Sequence, residues 1–196
     1  MAKCPFCGKY LVSRLDDGKS QRHLAEHFRN WDPDSIDWQE QSVILARFCG
    51  DFFDTWWDPD RFDWKSASWV LAAFRNKEIR KWWDPNRFNW ENASYHLVEF
   101  CTSSFDLWWD PTKFNWQDSS GTLARCCSNR FLDWWDPNKF NWTHASYALA
   151  QYCAKYFDIW WNPDRYNPQH AWALRMYCQE YRDKWLTLVK LWSILA

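Results

Sequence analysis

A Trp-Asp-Pro tract that returns every 26 residues constrains this chain more than any other feature. The tract, with Asn in place of Asp in the last copy, begins at Trp31, Trp57, Trp83, Trp109, Trp135 and Trp161. Self-similarity at a fixed period of this size is typical of repeat arrays, in which one unit cannot bury its apolar face alone and stacks on its neighbours. The sequence therefore predicts an array that acts, by default, as a binding scaffold.

Each unit contains two signals for a helix start. Aspartate followed by proline, as in Asp58-Pro59, favours a cap and a first helical turn, because proline lacks only an N–H that would be unpaired there. An apolar residue such as Phe62 follows, and a second Asp or Asn cap comes next. The second caps, each before a segment that runs to the next tract, are Asp63, Asn89, Asn115, Asn141 and Asn167.

The segment after the second cap has the periodicity of a helix. In the third unit the apolar or small residues of one face are Trp90, Ala93, Leu97, Phe100, Cys101, Phe105 and Trp108. This spacing of three or four predicts one unbroken helix from Trp90 to Trp108. The alternative is a bend midway, at Thr102 and its equivalents, that divides each segment into a helix pair.

These patterns predict a mainly α fold, in which tandem 26-residue helical repeats form an α-solenoid or an extended helical array behind a small ββα zinc finger. The expected domains are a finger over 1–30 and six repeats with a terminal helical cap over 31–196. The repeats and the cap are 31–56, 57–82, 83–108, 109–134, 135–160, 161–185 and 186–196.

The amino-terminal segment carries a metal-binding pattern. Cys4 and Cys7 are separated by two residues, and His23 and His27 follow after fifteen intervening residues. Two thiolates from a tight turn and two imidazoles one helical turn apart suit a tetrahedral Zn2+ ion, so we predict one structural zinc. Over residues 3–29 the pattern resembles a C2H2-type zinc finger. The resemblance implies a hairpin from Gly8 to Leu15 and a helix from Ser20 to His27.

The resemblance also implies where such a finger would contact DNA. The base-contact positions of the family fall on Asp16, Lys19 and Arg22. One finger covers only about three base pairs, and only three residues separate His27 from Trp31. We therefore expect the finger to pack on the first repeat as a cap.

A basic residue recurs at one position of the repeats. Its copies are Arg61, Arg87, Lys113, Lys139 and Arg165. One hypothesis is a line of positive charge that contacts the phosphates of a nucleic acid. The competing hypothesis is a local pair with the tract's aspartate, three residues earlier, in the first four copies.

Composition narrows the class of protein. A net charge of -1 gives no global attraction to nucleic acid or to acidic membranes. No apolar run approaches the roughly 20 residues of a membrane span, and no secretory signal is evident, so we expect a soluble protein of a reducing intracellular compartment. The five recurring cysteines are then expected to be core thiols, Cys49, Cys101, Cys127, Cys153 and Cys178.

No nucleophile with a base and an orienting group can be nominated, so the sequence predicts a non-enzymatic protein without a small-molecule substrate. The preferred function is a scaffold or adaptor that binds another macromolecule, and the expected partner is a protein. The alternatives are a nucleic-acid-binding protein that uses the finger and the basic line, and a packing component of a large assembly such as a virion.

Overall fold

The computed structural model describes Cys4, Phe6, Cys7 and residues 18–195. These residues form α-helices and 3-10 turns and include no strand, which confirms the mainly helical prediction. The hairpin expected over Gly8 to Leu15 lies outside the described residues. Within the described part of the chain, none of the helices combines the length and the hydropathy that a membrane crossing requires.

The helices alternate between long and short. The α-helices are α1 Gly18–Phe28, α2 Trp38–Phe48, α3 Phe53–Trp56, α4 Trp64–Phe74, α5 Ile79–Trp82, α6 Trp90–Phe100, α7 Phe105–Trp108, α8 Trp116–Cys126, α9 Phe131–Trp134, α10 Trp142–Tyr152, α11 Phe157–Trp160, α12 Ala171–Tyr177 and α13 Arg182–Leu195. The 3-10 turns are Pro33–Ser35, Gly50–Phe52, Asn76–Glu78, Thr102–Ser104, Ser128–Arg130, Ala154–Tyr156, Pro168–His170 and Gln179–Tyr181.

The second predicted cap is confirmed at a helix start, whereas the Asp-Pro position caps a one-turn 3-10 helix in the first tract and a hydrogen-bonded turn in the later ones. In the Trp-Asp-Pro tract, Asp58 Oδ1 accepts a hydrogen bond from the backbone N–H of Asp60 at 3.0 Å. At the second position, Asn141 Oδ1 accepts from the N–H of His144 at 3.2 Å, at the start of α10. Each cap satisfies a donor that the first helical turn leaves unpaired, which is why Asp and Asn recur there.

The predicted unbroken helix from Trp90 to Trp108 is wrong. The segment bends at Cys101, whose φ of -115 and ψ of 24 leave the helical region. The freed carbonyl oxygen of Cys101 accepts from the N–H of Ser104 at 2.9 Å and from the indole of Trp108. The bend therefore keeps its backbone hydrogen bonds and turns α7 so that Phe105 and Trp108 are both buried. It lies one residue before Thr102, the position that the alternative named.

The core is built from equivalent positions of the repeats. The short helices each end on a buried tryptophan, and the long helices each bury a leucine and are followed, in all but one repeat, by a buried cysteine. Phe100, which the periodicity assigned to this face, is instead 44% exposed, because the bend comes directly after it. The tryptophans that end the short helices are Trp56, Trp82, Trp108, Trp134 and Trp160, and Trp185 in α13 is buried at the equivalent position.

Neighbouring long helices run parallel. Asn115, the cap of α8, donates from Nδ2 to the carbonyl oxygen of Glu91 in the first turn of α6, at 2.7 Å. Near the other end of the same two helices, Arg125 forms an ion pair with Glu99. The first turn of α8 therefore lies beside the first turn of α6. Between them, the short helix α7 and its flanking turns carry the chain back to the end at which α6 begins.

A buried serine joins each long helix to the next repeat. In α8, Ser120 donates to the carbonyl oxygen of Trp116 and accepts from the backbone N–H of Asn141 at 3.1 Å. One hydroxyl thus serves two repeats, and no polar group of the serine is buried without a partner. The same acceptor role is taken by Ser42, Ser68, Ser94 and Ser146.

The internal contacts divide the chain into two compact units, 1–89 and 90–196. In the first, α2 packs on α4; in the second, α6, α8, α10 and α12 pack in succession. The second unit ends in α13, which runs from Arg182 through the segment expected as a cap. Val189 in this helix is buried, and Trp192 stacks on Tyr166 with the ring centroids 6.3 Å apart.

Candidate metal centre and the surfaces of the repeats

Four side chains converge at the amino-terminal end of the first unit. The ligand atoms of Cys4, Cys7, His23 and His27 all lie within 4.8 Å of one another. Cys7 Sγ lies 3.4 Å from His23 Nε2. The structure therefore brings the four residues of the predicted metal site together, in a group that can hold a metal ion.

Local structure explains how these ligands are presented. His23 and His27 are one turn apart in α1, and their rings meet edge to face with centroids 4.8 Å apart. Cys4 is 2% exposed, and its sulfur accepts hydrogen bonds from the backbone N–H groups of Phe6 and Cys7. Burial raises the pKa of the Cys4 thiol, while these two N–H groups act in the opposite direction by favouring the thiolate.

The cluster of Cys4, Cys7, His23 and His27 is attached to the first repeat by contacts between aromatic rings. Phe6, between the two cysteines, packs against His27, Phe28 and Trp31 at centroid distances of 4.9, 5.0 and 5.7 Å. Phe28 in turn stacks on Phe52 at 4.5 Å. The contact between Phe28 and Phe52 resembles one between regular repeats, in which Tyr156 stacks on Phe131 at 4.6 Å. The end of α1 thus occupies the place that a short helix takes between regular repeats.

The predicted DNA-contact residues of the finger are only partly described. Asp16 lies outside the described residues, and Lys19 lies in the first turn of α1. Arg22 is exposed on the same helix. Their assignment to base contacts stays a prediction.

The recurring basic residues bind the tract of the preceding repeat. Arg87 donates to the carbonyl oxygen of Pro59 at 2.6 Å and pairs with Asp60 at 2.7 Å. Within its own tract, Arg87 also lies 3.4 Å from Asp84, the local pair expected from the sequence. The side chain therefore bridges two successive tracts.

The other copies behave similarly. Arg61 pairs with Asp34 at 2.5 Å and with Asp58 at 3.3 Å. Lys139 donates to the carbonyl oxygen of Pro111 at 3.1 Å, and Arg165 donates to that of Pro137. Lys113 has a favourable electrostatic interaction with Asp110.

The carbonyl oxygens of Pro59, Pro111 and Pro137 each accept a second hydrogen bond. The oxygen of Pro59 also accepts from the indole of Trp64 in its own repeat, at 2.8 Å, and that of Pro137 accepts from Trp142 at 2.8 Å. The sequence analysis did not anticipate this acceptor. The recurrence of a long cationic side chain 28 residues after each proline is the signal that could have indicated it.

The core thiols are confirmed as buried, and none of the five forms a disulfide. Burial raises the pKa of Cys49, Cys101, Cys127, Cys153 and Cys178 to about 12. Protonated thiols of this kind are poor nucleophiles, which fits a packing role.

Several aromatic side chains that sequence reasoning assigned to packing, or did not single out, lie on the surface. In the second unit, Tyr95 and Trp172 are 41% and 46% exposed at equivalent repeat positions. Phe100 and Tyr177, at another shared position, are 44% and 37% exposed. The sequence did contain a signal for these exposed residues. Each long helix already has one apolar face to bury, so packing does not require a second row of aromatic residues.

Comparison of this chain with known protein families, with curated proteins and with solved structures finds no match.

Proposed function

We propose that this protein is a zinc-capped helical-repeat scaffold that binds another protein and catalyses no reaction. Cys4, Cys7, His23 and His27 would hold one Zn2+ ion, since two thiolates and two imidazoles are a donor set that this metal prefers in structural sites. The ion supplies binding free energy that stabilises the folded segment. With all four positions filled by protein ligands, the site leaves none for a substrate.

Aromatic contacts between the Cys/His cluster and the first repeat support a structural role for the zinc. Phe6 meets Phe28 of α1 edge to face, and Phe28 stacks on Phe52 of the first repeat. An exposed end of a repeat array needs a polar or otherwise distinct closing element. The finger serves as that element.

The observation that carries the binding role is the aromatic surface of the second unit. Tyr95 and Phe100 lie on α6 with the ring of His96 between them, 5.3 and 6.3 Å from the two rings. Trp172 and Met176, one turn apart on α12, are 46% and 63% exposed. Aromatic residues and methionine are enriched where proteins bind proteins, because they bury large area at low entropic cost.

The arrangement of the basic residues favours a protein partner over a nucleic acid. Arg61, Arg87, Lys139 and Arg165 already donate to carboxylates, amides or proline carbonyls of the preceding tract. A phosphate would have to compete with these bonds. The observed bonds support the structural alternative for the basic line.

Site-specific photo-crosslinking in the native cells tests this function. Benzoylphenylalanine at Phe100 or Met176 should link one discrete polypeptide, and Tyr95→Gln or Trp172→Gln on the corresponding helix should remove that product. The same group at Leu132, which is 67% exposed on the short helix α9, is the matched control. Products that are equal at all three positions, or that contain nucleic acid, would contradict a protein-binding aromatic surface.

A second measurement addresses the nucleic-acid alternative directly. Electrophoretic binding of random DNA and RNA by the wild type and by the variant with Arg87→Glu and Lys113→Glu should be equally weak. Steeply salt-dependent binding that this variant abolishes would establish the basic line as a phosphate site.

A further inference from the structure

Gly121 interrupts a series of large side chains on the long helices. The equivalent residue is Val43 in the first repeat and a large aromatic residue in the other four, Trp69, Tyr95, Tyr147 and Trp172. Gly121 lies inside α8, where a glycine costs roughly 0.5–1 kcal/mol relative to alanine because it has more backbone freedom to lose. The glycine at this position therefore needs a structural or functional explanation.

Packing does not supply that reason. A Cβ atom at Gly121 would lie 3.6 Å from Ala145 Cβ and 3.8 Å from the hydroxyl of Tyr147, which are ordinary van der Waals distances. The residue adopts helical backbone that any L-residue can take. Alanine therefore fits here, and the glycine is not needed for close approach of α8 and α10.

The missing side chain opens a notch between α8 and α10. Its volume is about 180 Å³, below the roughly 300–1,000 Å³ of pockets that enclose drug-sized ligands. The notch suits one large side chain. Most of its walls are polar, and the residues that line it include Gln117, Asp118, Thr122, Arg125, His144 and Tyr147.

The neighbouring repeat shows which ring fits this position. Tyr147 stacks on Trp172, the next residue of the series, with centroids 6.2 Å apart and planes inclined by 23°. A ring placed above Gly121 would meet the other side of Tyr147 in the same manner, one repeat earlier. Offset stacking of this kind contributes beyond the burial of area.

We propose that the notch at Gly121 binds a tyrosine side chain of a partner protein. The phenol ring would stack on Tyr147, and its hydroxyl would meet the polar wall formed by Gln117, Thr122 and His144. This site deepens the proposed scaffold function and rests on it, since it locates one anchor of the protein interface on α8 and α10.

The experiment uses amino-acid amides as probes of the full-length, zinc-loaded protein. N-acetyl-L-tyrosinamide should shift the amide resonance of Gly121 and the methyl resonance of Ala145 in NMR spectra, with saturation at millimolar concentration. N-acetyl-L-phenylalaninamide should bind several-fold more weakly, and N-acetyl-L-leucinamide should cause no saturable shift. Equal responses to the three amides would overturn the proposal.

Variants separate the notch from general surface adhesion. Gly121→Tyr fills the notch with the residue of the neighbouring repeats and should abolish the response, whereas Gly121→Ala should retain it. If Gly121→Tyr fails to fold, Tyr147→Ala provides the second test. We expect it to weaken binding roughly three- to tenfold through loss of one aromatic pair. An unchanged affinity in Tyr147→Ala would reject the site.

The outcomes distinguish this proposal from the scaffold function. Crosslinks from Phe100 and Met176 with no tyrosinamide response would reject the notch and leave the aromatic surface standing. A tyrosinamide response without such crosslinks would leave a side-chain pocket but contradict the scaffold.

Discussion

The indole Nε1 of Trp108 donates a hydrogen bond of 2.8 Å to the carbonyl oxygen of Cys101, seven residues earlier. The bond closes the bend between α6 and α7, and it recurs with the same spacing at the other bends of the array. The equivalent pairs are Trp56 with Cys49, Trp82 with Arg75, Trp134 with Cys127, Trp160 with Cys153 and Trp185 with Cys178.

Replacing this indole tests its role at the bend. We expect Trp108→Phe to lower the free energy of unfolding by about 1–3 kcal/mol, because a buried carbonyl loses a donor and a cavity opens. The measurement is urea denaturation followed by circular dichroism. Trp109→Phe is the matched control, since Trp109 is half-exposed and stacks on Phe105 through its ring. Equal costs for the two variants would show that the indole N–H at the bend contributes nothing.

The amide of the second cap offers a paired test of the contacts between repeats. Asn141 Nδ2 donates to the carbonyl oxygen of Gln117 at 2.6 Å, so Asn141→Asp should cost about 1–2 kcal/mol by placing a carboxylate oxygen against that carbonyl. Asp63 holds the same position without a donor. Asp63→Asn should stabilise the protein by about 0.5–1 kcal/mol. Shifts of the same sign in the two variants would contradict this role.

Removal of the proposed zinc should loosen one end of the chain. Chelation or Cys4→Ser should raise hydrogen exchange in residues 18–56, because the rings of Phe28 and Phe52 connect the metal cluster to the first repeat. Exchange in residues 116–160 should stay unchanged. Cys126→Ser, a half-buried thiol outside the cluster, should retain one zinc per chain by elemental analysis. Unaltered exchange after loss of the metal would refute the capping role.

The buried thiols predict alkaline destabilisation. Burial raises the pKa of Cys153 to about 12 from its ordinary 9.0, so between these values the unfolded chain loses a proton that the folded chain keeps. Stability from this group is complete below pH 9 and is lost as the pH rises toward 12. Above pH 9, wild type should lose stability faster than Cys153→Ala by up to about 1.4 kcal/mol per pH unit. Denaturant titrations from pH 7 to 11 give both slopes, and curves that stay parallel above pH 9 would argue against a protonated thiol.

Local chemistry made much of the repeat predictable. The period, both caps and the buried thiols follow from residue types whose preferences act within a few positions, as at Asp58 and Asn141. The bend at Cys101 does not. Thr102, Ala154 and Gln179 follow the equivalent bends, and their helix propensities differ, so propensity cannot mark the site. Burial of Phe105 and the indole bond from Trp108 decide it, and both depend on tertiary packing.

The convergence of Cys4, Cys7, His23 and His27 was predictable because their spacing suits the geometry of one metal ion. The bonds that hold neighbouring repeats together were harder to foresee. Ser120 accepts from a backbone N–H 21 residues later, and Arg87 reaches a carbonyl 28 residues earlier. A serine at a buried helical position in successive repeats is a usable signal in retrospect, since a buried hydroxyl requires a partner.

The serine hydroxyls described above make one junction chemically interchangeable with another. Ser94 offers to Asn115 the same acceptor that Ser120 offers to Asn141. Excision of residues 109–134 would present the backbone N–H of Asn141 to the hydroxyl of Ser94 and its Nδ2 to the carbonyl oxygen of Glu91, while the ion pair of Arg125 with Glu99 would be lost. The chain can therefore gain or lose a whole 26-residue unit and keep the hydrogen bond between the serine and the next cap at the new junction.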